Sequence, residues 1–170
     1  MKTLGKLLLI TSTFIIITWV IGIILAIYKY DNKCESYWQL ATKASSIPQK
    51  STYVDKYVAS LESCNLHGKY NAIFLETPDN SFDENFKALQ SLQTRLHEIQ
   101  AIDVSSFEYQ TAIQQITAQE QDGADQMIDV FATIWLKDYN ILLWDWIGIL
   151  FIIFTVICGT TGIAMMNADD

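Results

Sequence analysis

Two apolar runs without a charged residue, residues 7–28 and 147–166, enclose a polar stretch between them. They are 22 and 20 residues long. At ~1.5 Å of rise per residue, a helix of about 20 residues crosses a hydrocarbon core of roughly 30 Å. The pattern predicts two transmembrane helices with the bulk of the chain on one side. The expected layout is a tail over 1–6, a span over 7–28, a polar helical segment over 29–140, a second span over 141–166 and a tail over 167–170. Starting the second span at Ile147 rather than Ile141 matches the thickness of a membrane and leaves Asp145 at the interface. Both tails are too short for an output domain.

Between the spans the apolar positions recur at three and four residues, with no sustained alternation of the kind that marks strands. Tyr37, Leu40, Ala41 and Ala44 form a first stripe, which Ser45-Ser46-Ile47-Pro48 should end, because the residue before proline avoids the helical region. Ser51 or Thr52 is expected to cap a second helix carrying Val54, Tyr57, Val58 and Leu61, with Gly68 as its stop. Residues 69–80 read as irregular or as a short helical turn closed by Pro78-Asp79-Asn80. Ser81 and Glu84 have capping-box spacing, and the helix they open places Phe82, Phe86, Leu89, Leu92, Leu96 and Ile99 along one seam. Ser105 and Glu108 open the last helix, whose seam runs through Tyr109, Ile113, Ile116, Met127, Val130 and Ile134. Glu120 and Gly123 interrupt that seam, so Asp122-Gly123 is a candidate kink or break. The fold class expected is an all-α membrane protein in which two transmembrane helices flank an extracytoplasmic bundle of about four helices.

Charge sets orientation and excludes some partners. Residues 29–140 hold 9 Lys and Arg against 16 Asp and Glu, seven net negative charges. That argues against nucleic acid and against charge-driven docking on anionic lipid. Lys2, Lys6 and the terminal amine precede the first span and favour a cytoplasmic N-terminus. Both termini are therefore expected in the cytoplasm and residues 29–140 outside it. The first run is longer than a cleaved signal's apolar core and lacks a small-x-small site near Ala26, so it reads as an uncleaved signal-anchor. No Asn-x-Ser/Thr sequon falls in the outer segment, which fits a bacterial-type inner or plasma membrane.

Aromatic residues crowd one end of both spans. Tyr28 and Tyr30 end the first, while Trp135, Tyr139, Trp144 and Trp146, with Asp145 among them, introduce the second; all are expected as interfacial anchors. Small residues recur at helical spacing within the spans: Thr18, Gly22 and Ala26 on the first, Thr155, Gly159 and Gly162 on the second. Such residues let helices approach closely where lipid supplies no hydrophobic drive. They are candidate packing or partner surfaces, toward the other span, a membrane-protein partner or a second copy of the chain.

Cys34 and Cys64 are the strongest pair of chemistry-bearing residues. In a hairpin turning near residue 48 or 49, each lies about fifteen residues from the turn, so the two meet at one height. An oxidising compartment would favour a disulfide there. A rival reading adds His67 to make a metal site, without an obvious fourth ligand. Cys158, inside the second span, reads as a packing residue. With two histidines and no nucleophile elbow, no catalytic residue, metal or other cofactor is expected.

The connectivity over residues 7–166 resembles the ligand-binding module of bacterial chemoreceptors and related sensors. That resemblance implies a ligand-sensing bundle, although those sensors carry a cytoplasmic transmitter that four trailing residues do not supply. The function expected first is therefore a non-catalytic accessory or scaffold subunit of a membrane complex. A sensing module signalling through a partner is the alternative, and a small regulator of membrane lysis or permeability a third.

Overall fold

A computed structural model of the chain describes residues 2–66, 69–72, 75–139 and 146–167, without the side chains of 115, 117–125, 146–148 and 167. Among these residues the structure is helical and contains no strand beyond one isolated bridge between Tyr70 and Ser81. Six α-helices follow in order: α1 Lys2–Tyr30, α2 Ser36–Thr42, α3 Ile47–Glu62, α4 Phe82–Gln100, α5 Phe107–Asp138 and α6 Trp146–Asn167. The chain divides into two compact units, a central one of Tyr28–Trp135 and a terminal one of Met1–Ile27 with Leu136–Asp170. Two helical stretches are long and apolar enough to cross a membrane, one beginning at Lys2 and the other Ile149–Met166. Their side chains are mostly exposed, as Phe14 at 70 % and Phe154 at 61 % show. An apolar helix with little burial of its own fits hydrocarbon better than water.

In the central unit, one helical turn of π type, Asp31–Glu35, joins α1 to α2, with the Ser36 N–H donating to the Asp31 carbonyl five residues back. The extra residue in that turn keeps Tyr30, Cys34 and Trp38 on one buried side. The first stripe is therefore only partly as expected: Ala41 is buried and Tyr37 half-buried against the core, whereas Leu40 is exposed and Cys34 and Trp38, outside the stripe, enter the core.

The helix starts also differ from expectation in detail. α3 begins at Ile47, with Ser46 accepting from the Gln49 N–H and Pro48 in the first turn, where a missing N–H costs nothing. Ser51 is buried instead, and Thr52 donates its hydroxyl to the Pro48 carbonyl. Before α4, a 3₁₀ turn over Pro78–Asn80 is closed by the Thr77 N–H donating to Asn80 Oδ1 at 3.2 Å. Ser81 makes no side-chain cap. At α5 the cap is Ser106, accepting from the Tyr109 N–H at 3.1 Å, while Ser105 donates to Asp103 Oδ1. α5 is one continuous helix through Asp122-Gly123. Gly68, the expected stop of the second helix, lies outside the described residues, and α3 itself ends at Glu62.

The core of the central unit gathers Val54, Tyr57, Val58 and Leu61 from α3, the full α4 seam from Phe82 to Ile99, and Ile116, Met127, Val130, Phe131, Ile134 and Trp135 from α5. Aromatic rings link these helices. Phe131 lies 5.1 Å from Phe82 and 6.3 Å from Tyr57 between ring centroids, both edge-to-face, and Trp38 lies 5.7 Å from Tyr57.

Candidate functional site

Three arrangements carry chemistry, and each follows from how its helix is built. The first lies on the buried side of the π turn. Tyr30 and Tyr57 bring their hydroxyls to 3.1 Å, and both side chains are almost wholly buried. Beside them, Cys34 Sγ stands 3.8 Å from Cys64 Sγ. Cys64 is placed by the turn that ends α3. Successive N–H groups of Ser63, Cys64 and Asn65 bond back to Ala59, Leu61 and Glu62, and Asn65 takes a positive φ of 52°. Asparagine tolerates that conformation better than most residues. The Cys64 thiol donates to the Ser60 carbonyl at 3.0 Å.

The structure brings together the two cysteines singled out by spacing, and it holds them as free thiols. Their 3.8 Å separation is not the ~2.05 Å of a disulfide, which is the correction to the expected bond. His67 lies outside the described residues, and among those described no group of three or more metal-ligating side chains forms. Cys158 is half-buried on α6, in the terminal unit.

Burial dominates the electrostatics of this cluster. It pushes the Cys34 thiol up to about 12, with the Cys64 thiol adding to the shift and a hydrogen bond from Ser60 opposing it. Burial likewise raises Tyr57 well above the ordinary 10.0, with the Tyr30 hydrogen bond working the other way. Tyr30 is raised by burial first and by Tyr57 second. On the outer side of the same turn, Glu35 is held above the usual carboxylate range by burial, with the Asp31 and Asp129 carboxylates adding to it and a Gln39 hydrogen bond opposing it. Glu35 lines an open groove with Trp38, Gln39, Thr42, Ile128 and Asp129.

The second arrangement joins α3 to α4. His97 Nε2 lies 2.9 Å from Asp55 Oδ1, Gln93 Nε2 donates to the same oxygen at 2.8 Å, and Ser51 Oγ lies 3.5 Å from His97 Nδ1. The residue types are those of a hydrolase triad, but the geometry is that of a cross-helix clamp. Ser51 is 1 % exposed, so its hydroxyl cannot meet a carbonyl carbon, whereas His97 faces solvent. Residues 42 and 46 apart in sequence meet here, a proximity that no local motif announces.

The third is the contact between α1 and α6 in the terminal unit. Gly5, Ser12 and Ala26 are buried on α1, with Trp19 half-buried, and these positions recur every seven residues. Opposite them, Thr155 and Gly162 are buried, also seven apart, with Gly159 half-buried between them. The backbones touch. A Cβ on Gly5 would stand 2.8 Å from the Gly162 carbonyl oxygen, and one on Gly162 would stand 2.9 Å from that of Gly5. Farther along, a Cβ on Gly159 would come within 3.4 Å of Ser12 Oγ. Seven-residue recurrence is the signature of a left-handed helix pair, and small residues permit the approach. Gly5 and Ser12 escape a search for small residues four apart, although a seven-residue template finds them.

The remaining expected surface residues divide. Thr18 is exposed and donates its hydroxyl back to the Phe14 carbonyl, and a Cβ on Gly22 would meet nothing within 4 Å. Tyr28 and Tyr139 are exposed. Tyr30 and Trp135 instead pack on each other inside the central unit, ring centroids 5.8 Å apart, with Lys33 Nζ 5.6 Å from the Trp135 ring. Trp144 and Asp145 lie outside the described residues, and Trp146 opens α6. Compared with protein-family models, with curated proteins and with solved structures, the chain finds no match.

Proposed function

We propose that the chain is a non-catalytic accessory or scaffold subunit of a membrane complex. On this reading it crosses a bacterial-type inner or plasma membrane twice, with both termini cytoplasmic, and presents residues 29–140 outside as a helical bundle. The observation that carries the reading is the division of small residues along α1. Gly5, Ser12 and Ala26 are buried along its seven-residue seam, whereas Thr18 is exposed and Gly22, half-buried, has open space where a Cβ would stand. A small residue in an apolar span with open space beside it is where another transmembrane helix can approach closely. The lipid bilayer is the other partner, and the acidic outer segment disfavours nucleic acid.

The expected result of mild-detergent purification from the native membrane is a stoichiometric membrane-protein partner or a second copy. Gly22→Leu should reduce recovery of that partner at least tenfold while the chain itself accumulates normally, because a Cβ at 22 would have no atom of a neighbouring element within 4 Å. A chain that elutes alone, or equal partner recovery from Gly22→Leu, contradicts the proposal. Elution alone would favour the sensing alternative, for which the groove lined by Glu35, Trp38 and Asp129 is the place to screen small molecules.

A further inference from the structure

The paired thiols of the central unit sit where two chain segments of different construction meet. Cys34 belongs to the π turn Asp31–Glu35, and Cys64 to the hydrogen-bonded turn that ends α3. Their sulfurs, 30 residues apart in sequence, are 3.8 Å apart in space. Closing that gap to a disulfide needs a movement of about 1.8 Å, within reach of side-chain rotation. Exposure differs across the pair, since Cys34 is 0 % exposed and Cys64 is partly open to solvent.

We propose that Cys34 and Cys64 are a redox pair, oxidised by thiol–disulfide exchange with a small or protein disulfide to a bond that ties the π turn to the end of α3. The Cys64 thiolate, the accessible sulfur, attacks one sulfur of the donor disulfide and releases its other half as a thiol. The Cys34 sulfur, adjacent in the core, then attacks the Cys64 sulfur of the mixed disulfide and releases the second half as a thiol. One S–S bond is broken and one formed, and the two protons and two electrons of the cysteines leave on the donor. Burial, which holds Cys34 protonated up to about 12, makes the second step the slower one and keeps Cys34 from reacting first. The inference deepens the reading that residues 29–140 face an oxidising compartment, yet the pairing itself is independent of that placement.

The test takes the full-length chain, purified in detergent under reducing conditions, and equilibrates it with glutathione disulfide before alkylation with N-ethylmaleimide and mass spectrometry. The expected product has lost two alkylatable thiols, at 34 and 64, carries no glutathione and keeps Cys158 alkylated. Its Tm should rise by on the order of 10 °C over the reduced chain, since closing a 30-residue loop restricts the unfolded ensemble. Cys34→Ser should trap glutathione on Cys64, and Cys64→Ser should leave Cys34 unmodified in the folded chain. Alkylation of both positions after equilibration, or a stable glutathione adduct on Cys64 of the unaltered chain, would overturn the pairing. Native membranes quenched in acid and alkylated supply the second arm. A bond formed in detergent with both thiols free in membranes supports the pair and overturns the extracytoplasmic placement.

Discussion

Between pH 8 and pH 11 under reducing conditions, the central unit is expected to lose about 5 kcal/mol of stability. Cys34, Tyr57 and Tyr30 are all held in their neutral forms above their ordinary values of 9.0 and 10.0, in each case chiefly by burial. As pH rises past 9, the unfolded chain releases these protons while the folded chain retains them. The unfolded state then binds fewer protons, and stability falls with pH. The contribution is fully present below 9, starts to go with the thiol and steepens above 10 as the tyrosines join. Each group adds about 1.4 kcal/mol per pH unit in its window, so three acting together approach ~4 kcal/mol per unit. A typical domain holds only about 5–15 kcal/mol in all. Urea unfolding followed by circular dichroism at a series of pH values measures the slope. The Tyr30→Phe/Tyr57→Phe double variant removes both hydroxyls of the 3.1 Å pair together, leaving neither unpartnered, and should flatten the curve above pH 10. An unaltered chain whose stability stays level from pH 8 to 11, or a double variant that falls as steeply, contradicts this account.

Phe131→Ala is expected to destabilise the central unit by about 3–5 kcal/mol, the range for removing a fully buried aromatic ring. Phe131 is 0 % exposed and packs edge-to-face on Phe82 of α4 and Tyr57 of α3, so it joins three helices at one point. The cavity left by its ring is walled by side chains from each of them, which limits collapse. Leu40→Ala, on the 43 % exposed face of α2, is the matched control and should change stability by less than ~1 kcal/mol. Thermal unfolding of the detergent-solubilised chain reads both. A loss under ~1 kcal/mol for Phe131→Ala would mean that α5 does not share this core.

Where one helix supplies its own periodicity, the sequence is an accurate guide. Every seam residue expected on α4, from Phe82 to Ile99, is buried, as are Val54, Tyr57, Val58 and Leu61 on α3. Periodicity fails where the backbone departs from 3.6 residues per turn. The π turn at Asp31–Glu35 shifts the phase, so Trp38 and Cys34 enter the core where Leu40 was expected. Tyr30 and Trp135 have the composition of headgroup anchors, and only tertiary packing turns them inward to each other. Serines near a helix start do not identify the cap by spacing alone: Ser46 and Ser106 cap α3 and α5 where Ser51 or Thr52 and Ser105 were expected, and Ser81 precedes α4 without a side-chain cap bond. The cysteine pair was legible because a hairpin of two helices fixes which residues share a height. The Ser51–His97–Asp55 clamp was not, because its partners lie on different helices with no spacing rule between them.

The proposed role as a membrane subunit depends on two spans with the central segment on the far side of the membrane. Single cysteines at Thr3 and Gln90, introduced with all three native cysteines replaced by Ala, probe this in intact cells with a membrane-impermeant maleimide. The account predicts that Gln90→Cys, on the exposed face of α4, labels in intact cells, and that Thr3→Cys labels only after lysis. Labelling of Thr3→Cys in intact cells, or protection of Gln90→Cys until lysis, would contradict it.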